Sequence, residues 1–441
     1  MQIQRQICPA CAAPLPGSTS ESVKCEHCGS QLRLKKDTGQ LFPVINPNVE
    51  TAKPLRPPMS KAKKRTIVAG ILFIVIAGIL MAYIYNRYNW HRVINSVAWS
   101  PDGQRIVSVH GQGFGIGGGT LRVWDATNGK SLKVITNKNV LMWQVIFSPD
   151  GKYLATGEHD GAIEIWDAQN LEPVQRFQAG GSFVDNLVWS PDSKQIAEGD
   201  ANGTLWVWDV ANGRKLYSQG VHTDRLEILA WSPDGKYIAT GGWDGLIRVV
   251  DAATGQMLME FKDKSYLNSV AWTADSKYLA AGGLGNMVHI IDVAKATEVF
   301  KLEGHKNSIR MVSWSPDGKW IASLAQDDTV RIWDAVTGKA VQVLDNGGYN
   351  QNMMWSPDGK YLASGGWGVL RIWETANWTM QQVQVFDRSN DVRIAGWSAD
   401  NRQALVVGKY DEIIKILEVA NQHELASMQV SVGEAIRRVL F

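Results

Sequence analysis

Four cysteines near the N-terminus form the clearest chemical pattern in this sequence of 441 residues. Cys8 and Cys11 make one Cys-x-x-Cys pair, Cys25 and Cys28 make a second, and 13 residues separate the two pairs. Two such pairs can present four thiolates in tetrahedral geometry, which suits a closed structural zinc site. Two disulfides or a redox pair are the alternatives, but no βαβ pattern surrounds the cysteines. We therefore predict that residues 1–34 fold around one structural zinc ion.

Two further patterns carry residue types that occur in catalytic or cofactor sites. Gly113, Gly115 and Gly118 match G-x-G-x-x-G, but a predicted strand follows them, whereas a dinucleotide site needs a strand before and a helix after. His305 and Asp327 could suggest acid–base chemistry, yet no nucleophile-plus-base arrangement accompanies them. We therefore expect a loop at the glycines and no enzymatic activity.

A repeated phrase organises the rest of the chain. Its best copies read Trp-Ser-Pro-Asp-Gly; the first two stand 48 residues apart and the later ones 41 or 42. Such a period indicates a repeat architecture. The eight copies begin at Trp99, Phe147, Trp189, Trp231, Trp272, Trp314, Trp355 and Trp397.

One repeat reads as four short strands joined by turns. In the sixth repeat these are Ile309–Trp314, Trp320–Ser323, Thr329–Asp334 and Ala340–Leu344. Four strands at a period just above 40 are typical of a propeller blade. The sequence therefore predicts an all-β fold, with an eight-bladed β-propeller over residues 90–441.

The number of blades and the closure of the ring leave alternatives open. Residues Ile436–Phe441 match the start of a repeat that the chain does not finish. They could replace or supplement the innermost strand of the first blade, near Val93 to Trp99. Seven blades are the alternative to eight.

The repeats resemble the WD-repeat β-propeller family. The resemblance rests on phrases such as Gly304-His305, Trp314-Ser-Pro-Asp-Gly318 and Val330-Arg-Ile-Trp-Asp334, and related phrases cover about 350 residues. It implies a buried hydrogen-bonded tetrad that braces each blade, as well as a non-catalytic role. The one complete tetrad in this sequence comprises His305, Ser323, Asp327 and Trp333. Partial sets occur in the fourth repeat (His222, Thr240, Asp244, with Val250 in place of Trp) and in the second (Thr156, Asp160, Trp166).

Eight residues at the start of the inner strands are candidates for partner binding. They stand four positions before each copy of the phrase and vary in charge and size, as a specific binding surface requires. In WD-repeat proteins this end of the channel commonly contacts partners. Trp143 and Arg310 are the predicted anchors, because Trp and Arg dominate interface energetics; ordinary solvated positions are the alternative. The set is Asn95, Trp143, Asp185, Glu227, Asn268, Arg310, Gln351 and Arg393.

A membrane span is predicted between the cysteine segment and the repeats. Ile67 to Tyr85 are 19 residues without a charge, about 28 Å as a helix, enough for a hydrocarbon core of about 30 Å. We therefore predict a basic, proline-containing linker at 35–65 and a transmembrane helix at 66–86. Basic residues are more numerous before the span, which predicts a cytoplasmic N-terminus and an extracytoplasmic propeller. A buried helix of a soluble domain is the alternative.

The cysteine segment and the charge balance complete the functional expectation. Residues 1–34 resemble a zinc ribbon of the Cys-Pro-x-Cys type, and the order of ribbon, helix and propeller resembles bacterial membrane-anchored WD-repeat proteins. Residues 1–65 hold 11 Lys/Arg against 4 Asp/Glu, whereas the remainder holds 34 against 39. Repeats of this acidic balance lack the electrostatics of a nucleic-acid reader.

We therefore expect a cell-membrane protein that presents its propeller as a scaffold to a protein or peptide and contacts the lipid bilayer through residues 66–86. An extracytoplasmic sensor of small ligands is one alternative. A quinoprotein-like enzyme is another, which the repeats disfavour because they contain no cysteine and carry Leu258 and Val341 where such enzymes place a docking Trp.

Overall fold

The computed structural model describes most of the repeat region and three short segments before it. The predicted zinc ligands Cys8, Cys11, Cys25 and Cys28, the predicted span 66–86, residues 113–117 of the glycine-rich stretch, and Ile436–Phe441 lie outside the described residues. The chain divides into two compact units, Met1–Ala77 and Gly78–Phe441. The described residues are 22–24, 31–34, 41–43, 92–112, 118–137, 140–180, 184, 186–263, 265–348, 352–386, 391–408, 413–421 and 423–429.

The described part of the first unit is an antiparallel sheet of three short strands. Ser22–Lys24 pairs with Gln31–Leu34, which pairs with Leu41–Pro43. The third strand falls within the segment predicted as a linker. Its apolar Leu41-Phe42 pair favours a strand, and Pro43 is tolerated because it stands on an edge strand.

The second unit contains eight antiparallel sheets of four consecutive strands each. We name the sheets blades 1–8 in chain order and their strands a to d, so the eight-bladed prediction is confirmed. The a strands are Arg92–Trp99, Met142–Phe147, Leu187–Trp189, Leu226–Trp231, Leu267–Trp272, Ile309–Trp314, Met353–Trp355 and Val392–Trp397. The b strands are Arg105–Gln112, Tyr153–Glu158, Gln195–Gly199, Tyr237–Gly242, Tyr278–Gly283, Trp320–Ala325, Tyr361–Gly365 and Gln403–Gly408.

The c and d strands complete each blade. The c strands are Gly119–Asp125, Ala162–Asp167, Thr204–Asp209, Leu246–Asp251, Met287–Asp292, Thr329–Asp334, Val369–Glu374 and Ile413–Glu418. The d strands are Ser131–Asn137, Pro173–Gln178, Arg214–Gly220, Met257–Lys262, Thr297–Glu303, Ala340–Asp345, Thr379–Gln384 and Glu424–Gln429.

The repeated phrase forms the turn between strands a and b. In blade 6, the Ser315 hydroxyl donates to Asp317 Oδ1 at 2.7 Å and accepts from the backbone N–H of Trp320 at 2.9 Å. Gly318 closes the turn at φ +70°, a conformation that glycine adopts without a steric penalty. The phrase therefore encodes a local turn, which explains why it recurs at the same point of every repeat.

Apolar side chains between neighbouring blades form the core, and blade 8 packs on blade 1. Ile94, Ile106 and Trp124 of blade 1 share one buried cluster with Leu405 and Ile416 of blade 8. The strand Arg92–Trp99 itself occupies the innermost position of the first sheet. The first sheet thus has its own inner strand, and the predicted role of Ile436–Phe441 in closing the ring falls outside the described residues.

Because the four strands of a blade alternate in direction, the connections fall on two opposite faces. The a–b and c–d turns lie on one face, which we call the turn face. The b–c and d–a connections lie on the other, the loop face, where each a strand begins. Within the described residues, no helix is long and apolar enough to cross a membrane.

Candidate functional site

The predicted binding residues lie at the loop-face ends of the a strands. Six of the eight are described, whereas Asp185 and Gln351 lie outside the described residues. The six divide into two groups by the parity of their blade. Partner binding by either group stays a prediction, but their contacts differ.

The two asparagines of the set join an odd blade to the following even blade. Asn95 Nδ2 donates to the carbonyl of Met142 at 2.7 Å, and Asn268 Nδ2 donates to the carbonyl of Ile309 at 2.7 Å. Both amides are thus engaged in contacts between inner strands. A structural role accounts for these two residues.

The other two odd blades use an asparagine that is not four residues before the repeated phrase and was therefore not predicted. Asn186 Nδ2 donates to the carbonyl of Glu227 at 2.8 Å, and Asn352 Nδ2 donates to that of Ile394 at 2.5 Å. These asparagines stand three residues before Trp189 and Trp355, and the described a strands of blades 3 and 7 have no bulge in their pairing with strand b. An asparagine three or four residues before the Trp of every odd repeat was the available signal.

The even blades place a different residue at this end of the channel. Trp143 Nε1 donates to His159 Nδ1 at 3.2 Å, and their ring centroids are 6.1 Å apart. Glu227 accepts a hydrogen bond from Arg225 Nε at 2.7 Å. Arg310 is half-buried, and Arg393 Nη2 lies 3.7 Å from the carboxylate of the buried Asp391. The even positions are therefore an aromatic residue, an anion and two cations.

A group of exposed apolar residues on the loop face was absent from the predicted set. Trp243, Tyr266 and Leu284 are 45%, 51% and 47% exposed, and together they line a recess of about 340 Å³ between blades 4 and 5. We call these three residues the loop-face patch. The rings of Trp243 and Tyr266 are 6.1 Å apart, and the Arg225 guanidinium lies 5.8 Å from the Trp243 ring.

The positions of these residues in the repeats could have indicated the loop-face patch. Trp243 and Leu284 stand in b–c connections, where small or polar turn residues are expected. Trp367 stands in the same connection of blade 7 and is 43% exposed. Large, half-exposed apolar residues at loop tips are candidates for binding.

The tetrad of blade 6 forms a continuous hydrogen-bonded chain. Trp333 Nε1 donates to Ser323 Oγ at 2.9 Å, Ser323 Oγ lies 2.8 Å from His305 Nε2, and His305 Nδ1 lies 2.9 Å from Asp327 Oδ2. Burial lowers the pKa of His305, so the ring is neutral at neutral pH. The geometry then assigns its proton to Nδ1, with Nε2 accepting from Ser323.

Asp327 holds the other end of this chain. Burial raises its pKa, but hydrogen bonds from the backbone of Lys306 and the side chains of Thr329 and His305 outweigh burial and lower it. A neutral imidazole between an ionised carboxylate and a buried hydroxyl braces the blade. Ser323, Trp333 and His305 of this hydrogen-bonded chain are buried.

Blades 4 and 1 contain shorter versions of the same chain. In blade 4, His222 contacts both Thr240 Oγ1 and Asp244 Oδ1 at 2.9 Å, and the buried Val250 stands where blade 6 has Trp. In blade 1, His110 lies 2.6 Å from Ser108 Oγ, to which Trp124 Nε1 donates at 2.8 Å. His110 comes from strand b rather than from the d–a connection, so the motif spacing missed it.

Blade 2 replaces the histidine with an ion pair. Trp166 Nε1 donates to Thr156 Oγ1 at 3.1 Å, while Arg176 donates to Glu158 Oε2 at 2.5 Å and to Asp160 Oδ2 at 2.8 Å. The Glu158 side chain is fully buried. Burial raises the pKa of Glu158 to about 7, although the Arg176 charge opposes that shift.

Within the described ranges, no group of three or more His, Cys, Asp or Glu side chains could hold a metal ion. The predicted zinc ligands lie outside those ranges. The strands Ser22–Lys24 and Gln31–Leu34 pair directly, and they flank Cys25 and Cys28 in sequence.

Comparison with known proteins identifies the repeats. The family described as "WD domain, G-beta repeat" matches residues 84–125, 129–167, 296–334 and 351–374. A second family, described as "Anaphase-promoting complex subunit 4 WD40 domain", matches residues 212–274.

Curated relatives resemble segments of the chain. The Notchless protein homolog of Arabidopsis thaliana is 49% identical over 43 residues, or 10% of this chain and 9% of that protein. An uncharacterized WD repeat-containing protein of Synechocystis is 36% identical over 64 residues, 14% of this chain and 17% of the relative. The small ribosomal subunit protein RACK1y of Oryza sativa is 29% identical over 126 residues, 27% of this chain and 37% of the relative. The matches thus span well under half of each relative's length.

Solved structures share the fold over a longer stretch. Sqt1 from Chaetomium thermophilum superposes with a TM-score of 0.66 at 19% identity, over 75% of this chain and 97% of that one. The computationally designed protein Ika8 gives a TM-score of 0.63 at 18% identity, over 75% and 98%. Residues 84–125, 129–167, 212–274, 296–334 and 351–374 therefore match WD40 family models, and the repeats form an eight-bladed propeller.

Proposed function

We propose that the protein is a non-catalytic scaffold whose loop face binds a protein or peptide partner. The loop-face patch of Trp243, Tyr266 and Leu284 carries this proposal. Three large apolar side chains, each nearly half exposed and contiguous around one recess, are unfavourable in water unless a partner covers them. Aromatic residues supply much of the energy of protein interfaces, because they bury large areas.

Residues of the even blades add specificity to this surface. Glu227 begins the a strand of blade 4, and its partner Arg225 also lies against Trp243. Trp143, Arg310 and Arg393 occupy the same position in blades 2, 6 and 8. A partner would thus meet one anion and two cations in a fixed angular order, which selects an orientation as well as a composition.

The names of relatives are compatible with this role. RACK1y is named as a protein of the small ribosomal subunit, so a relative of the repeats works within a large assembly. For this chain, the partner and the assembly are proposals. The absence of a nucleophile with a neighbouring base in the sequence supports the non-catalytic part.

The test is a paired substitution in the full chain. Trp243→Ala with Tyr266→Ala should reduce recovery of cross-linked partners from membranes by at least about tenfold, since it truncates both aromatic anchors. Trp143→Ala with Arg310→Ala should reduce recovery less. The control is Met257→Ala with Leu258→Ala, two exposed residues on strand d of the same blade. Unchanged recovery in both loop-face variants would overturn the proposal.

We further infer that residues 66–86 anchor the chain in the cell membrane, with the N-terminus in the cytoplasm and the propeller outside it. The uncharged run Ile67–Tyr85 and the excess of basic residues before it support this topology. Proteolysis of intact cells should degrade the propeller and spare the N-terminal segment. Protection of the propeller would contradict the topology.

We also infer that Cys8, Cys11, Cys25 and Cys28 bind one structural zinc ion. Four thiolates are a donor set that zinc prefers, and a directly paired hairpin flanks the second cysteine pair. Metal analysis of the purified chain should give one zinc per molecule. Cys25→Ser with Cys28→Ser should lose the metal and, because ligation stabilises so small a unit, make residues 1–34 sensitive to protease. Full zinc content in that variant would exclude the site.

A further inference from the structure

The turn face holds an apolar groove between blades 5 and 6. It encloses about 550 Å³, and its walls include Tyr278 and Phe300 of blade 5 with Trp314 and Val336 of blade 6. Val336 stands in the c–d turn of blade 6 and is 82% exposed. In the c–d turns of the other blades, the same position holds Ala, Thr or Gln.

The next blade junction shows what chemistry such a groove accommodates. Trp378, in the c–d turn of blade 7, inserts between Trp320 of blade 6 and Trp355 of blade 7. Its ring lies 6.3 Å from each of those rings, at interplanar angles of 78° and 70°. Trp320 corresponds in the repeat to Tyr278, and Trp355 corresponds to Trp314. The protein therefore fills this junction with an indole of its own.

At the groove between blades 5 and 6, the position equivalent to Trp378 is a glycine, which has no side chain to fill the groove. Gly338 corresponds to Trp378, and both close their turns with positive φ, +69° and +58°, and with the same backbone hydrogen bond to the residue four before. Phe300 lies directly against Gly338 but leaves the groove open. The corresponding residue at the next junction is the exposed Gln342.

The aromatic pair in the groove also departs from its counterparts. The equivalent Tyr and Trp stack at three other junctions, namely Tyr153 with Trp189, Tyr237 with Trp272, and Tyr361 with Trp397. Tyr278 and Trp314 line the groove instead. Asp275 and Asp317 lie at its mouth, where each pairs with the lysine two residues further on, Lys277 at 2.9 Å and Lys319 at 3.0 Å.

We propose that this groove docks a tryptophan side chain of a protein partner, making the turn face a second binding surface. The aromatic walls of the groove match the aromatic surroundings of Trp378 at the next junction. This surface lies on the opposite face from the loop-face patch. The scaffold would therefore hold two partners at once.

The experiment uses the full chain and two acetylated, amidated pentapeptides, Gly-Ser-Trp-Ser-Gly and its alanine counterpart. Titration followed by saturation-transfer NMR should show contact to the indole protons and no binding of the alanine peptide. Val336→Lys should raise the Kd by at least about tenfold, since it places a charge on the apolar rim. Ala376→Lys, at the matched position of blade 7 where Trp378 fills the junction, should leave the Kd unchanged.

A second variant fills the groove from within. Phe300→Gln with Gly338→Trp copies the next junction and should abolish peptide binding while the midpoint of thermal unfolding stays at or above that of the wild type. Should this variant fail to fold, Val336→Lys still decides the question. Equal peptide affinity in Val336→Lys and wild type would overturn the proposal, as would loss of binding in Trp243→Ala with Tyr266→Ala. Self-association that Val336→Lys abolishes would also overturn it, by assigning the groove to a second copy.

Discussion

Blades 2 and 6 satisfy buried polar groups at equivalent positions in two different ways. Blade 6 uses three uncharged side chains, Trp333, Ser323 and His305, which form a hydrogen-bonded chain that ends on the Asp327 carboxylate. Blade 2 retains the Trp166–Thr156 bond but places the carboxylate of Glu158 in the interior, paired with Arg176. All repeats therefore share the same strands and turns, whereas the residues that form the buried hydrogen bonds and ion pairs differ from blade to blade.

The difference lies in how many groups depend on one side chain. In blade 6, the Ser323 hydroxyl links two buried groups, the indole N–H and the imidazole. In blade 2, the Thr156 hydroxyl accepts a hydrogen bond from the indole N–H of Trp166 and donates one to the carbonyl of Glu164. Arg176 forms ion pairs with the carboxylates of Glu158 and Asp160. Its side chain is 40% exposed, so water also solvates the guanidinium group. Substitutions should separate these arrangements.

The largest effect is expected in blade 6. Ser323→Ala should lower the free energy of unfolding by about 3 kcal/mol, because it leaves both Trp333 Nε1 and His305 Nε2 without a partner, at about 1–3 kcal/mol each. Thr156→Ala in blade 2 should cost about 1.5 kcal/mol, since it removes the acceptor of one buried N–H. Urea unfolding of both variants measures the difference. Equal losses would show that the histidine adds nothing to the chain in blade 6.

The next effect concerns the ion pair of blade 2. Arg176→Met should cost about 2 kcal/mol, less than the loss of a fully buried pair because of its exposure. Adding Glu158→Gln should recover about half of that loss, since the remaining amide carries no charge. Urea unfolding of the two single variants and the double variant completes the cycle. Strict additivity would mean that Arg176 does not stabilise Glu158.

The sequence predicted those features that depend on local spacing. The turn built by Ser315, Asp317 and Gly318 involves residues within four positions, so its recurrence predicted the eight blades. The tetrad of blade 6 was identifiable because the WD-repeat resemblance fixes its offsets. Both rest on patterns that a short window of sequence contains.

Features that depend on register or on contacts between blades were not predicted. Arg176 reaches Glu158 because Arg176 pairs with Glu164 on the neighbouring strand. No sequence motif indicates this strand register. Asn186 was not predicted because it stands three residues before Trp189 rather than four, since the described a strand of its blade lacks a bulge. Trp243 and Tyr266 come together from different blades, and no repeat taken alone shows that they meet.

The smallest effect is a difference in pH dependence between the two blades. The pKa of Glu158 is raised to about 7 by burial, so between pH 4.5 and 7 the folded state binds more protons than the unfolded state. Its contribution to stability must therefore fall as the pH rises through that window. Burial lowers the pKa of His305, so its contribution must fall as the pH drops below 6.5.

Two substitutions isolate these opposite slopes. Relative to wild type, Glu158→Gln should become more favourable by about 1 kcal/mol between pH 5 and pH 6, since the glutamine cannot ionise in the interior. His305→Gln should show the reverse trend, with its largest loss at pH 8, where the wild-type ring is neutral in both states and its hydrogen bonds are intact. The measurement is urea unfolding at four pH values. A flat difference between Glu158→Gln and wild type across this range would mean that a buried carboxylate paired with a half-exposed arginine titrates as an ordinary surface acid.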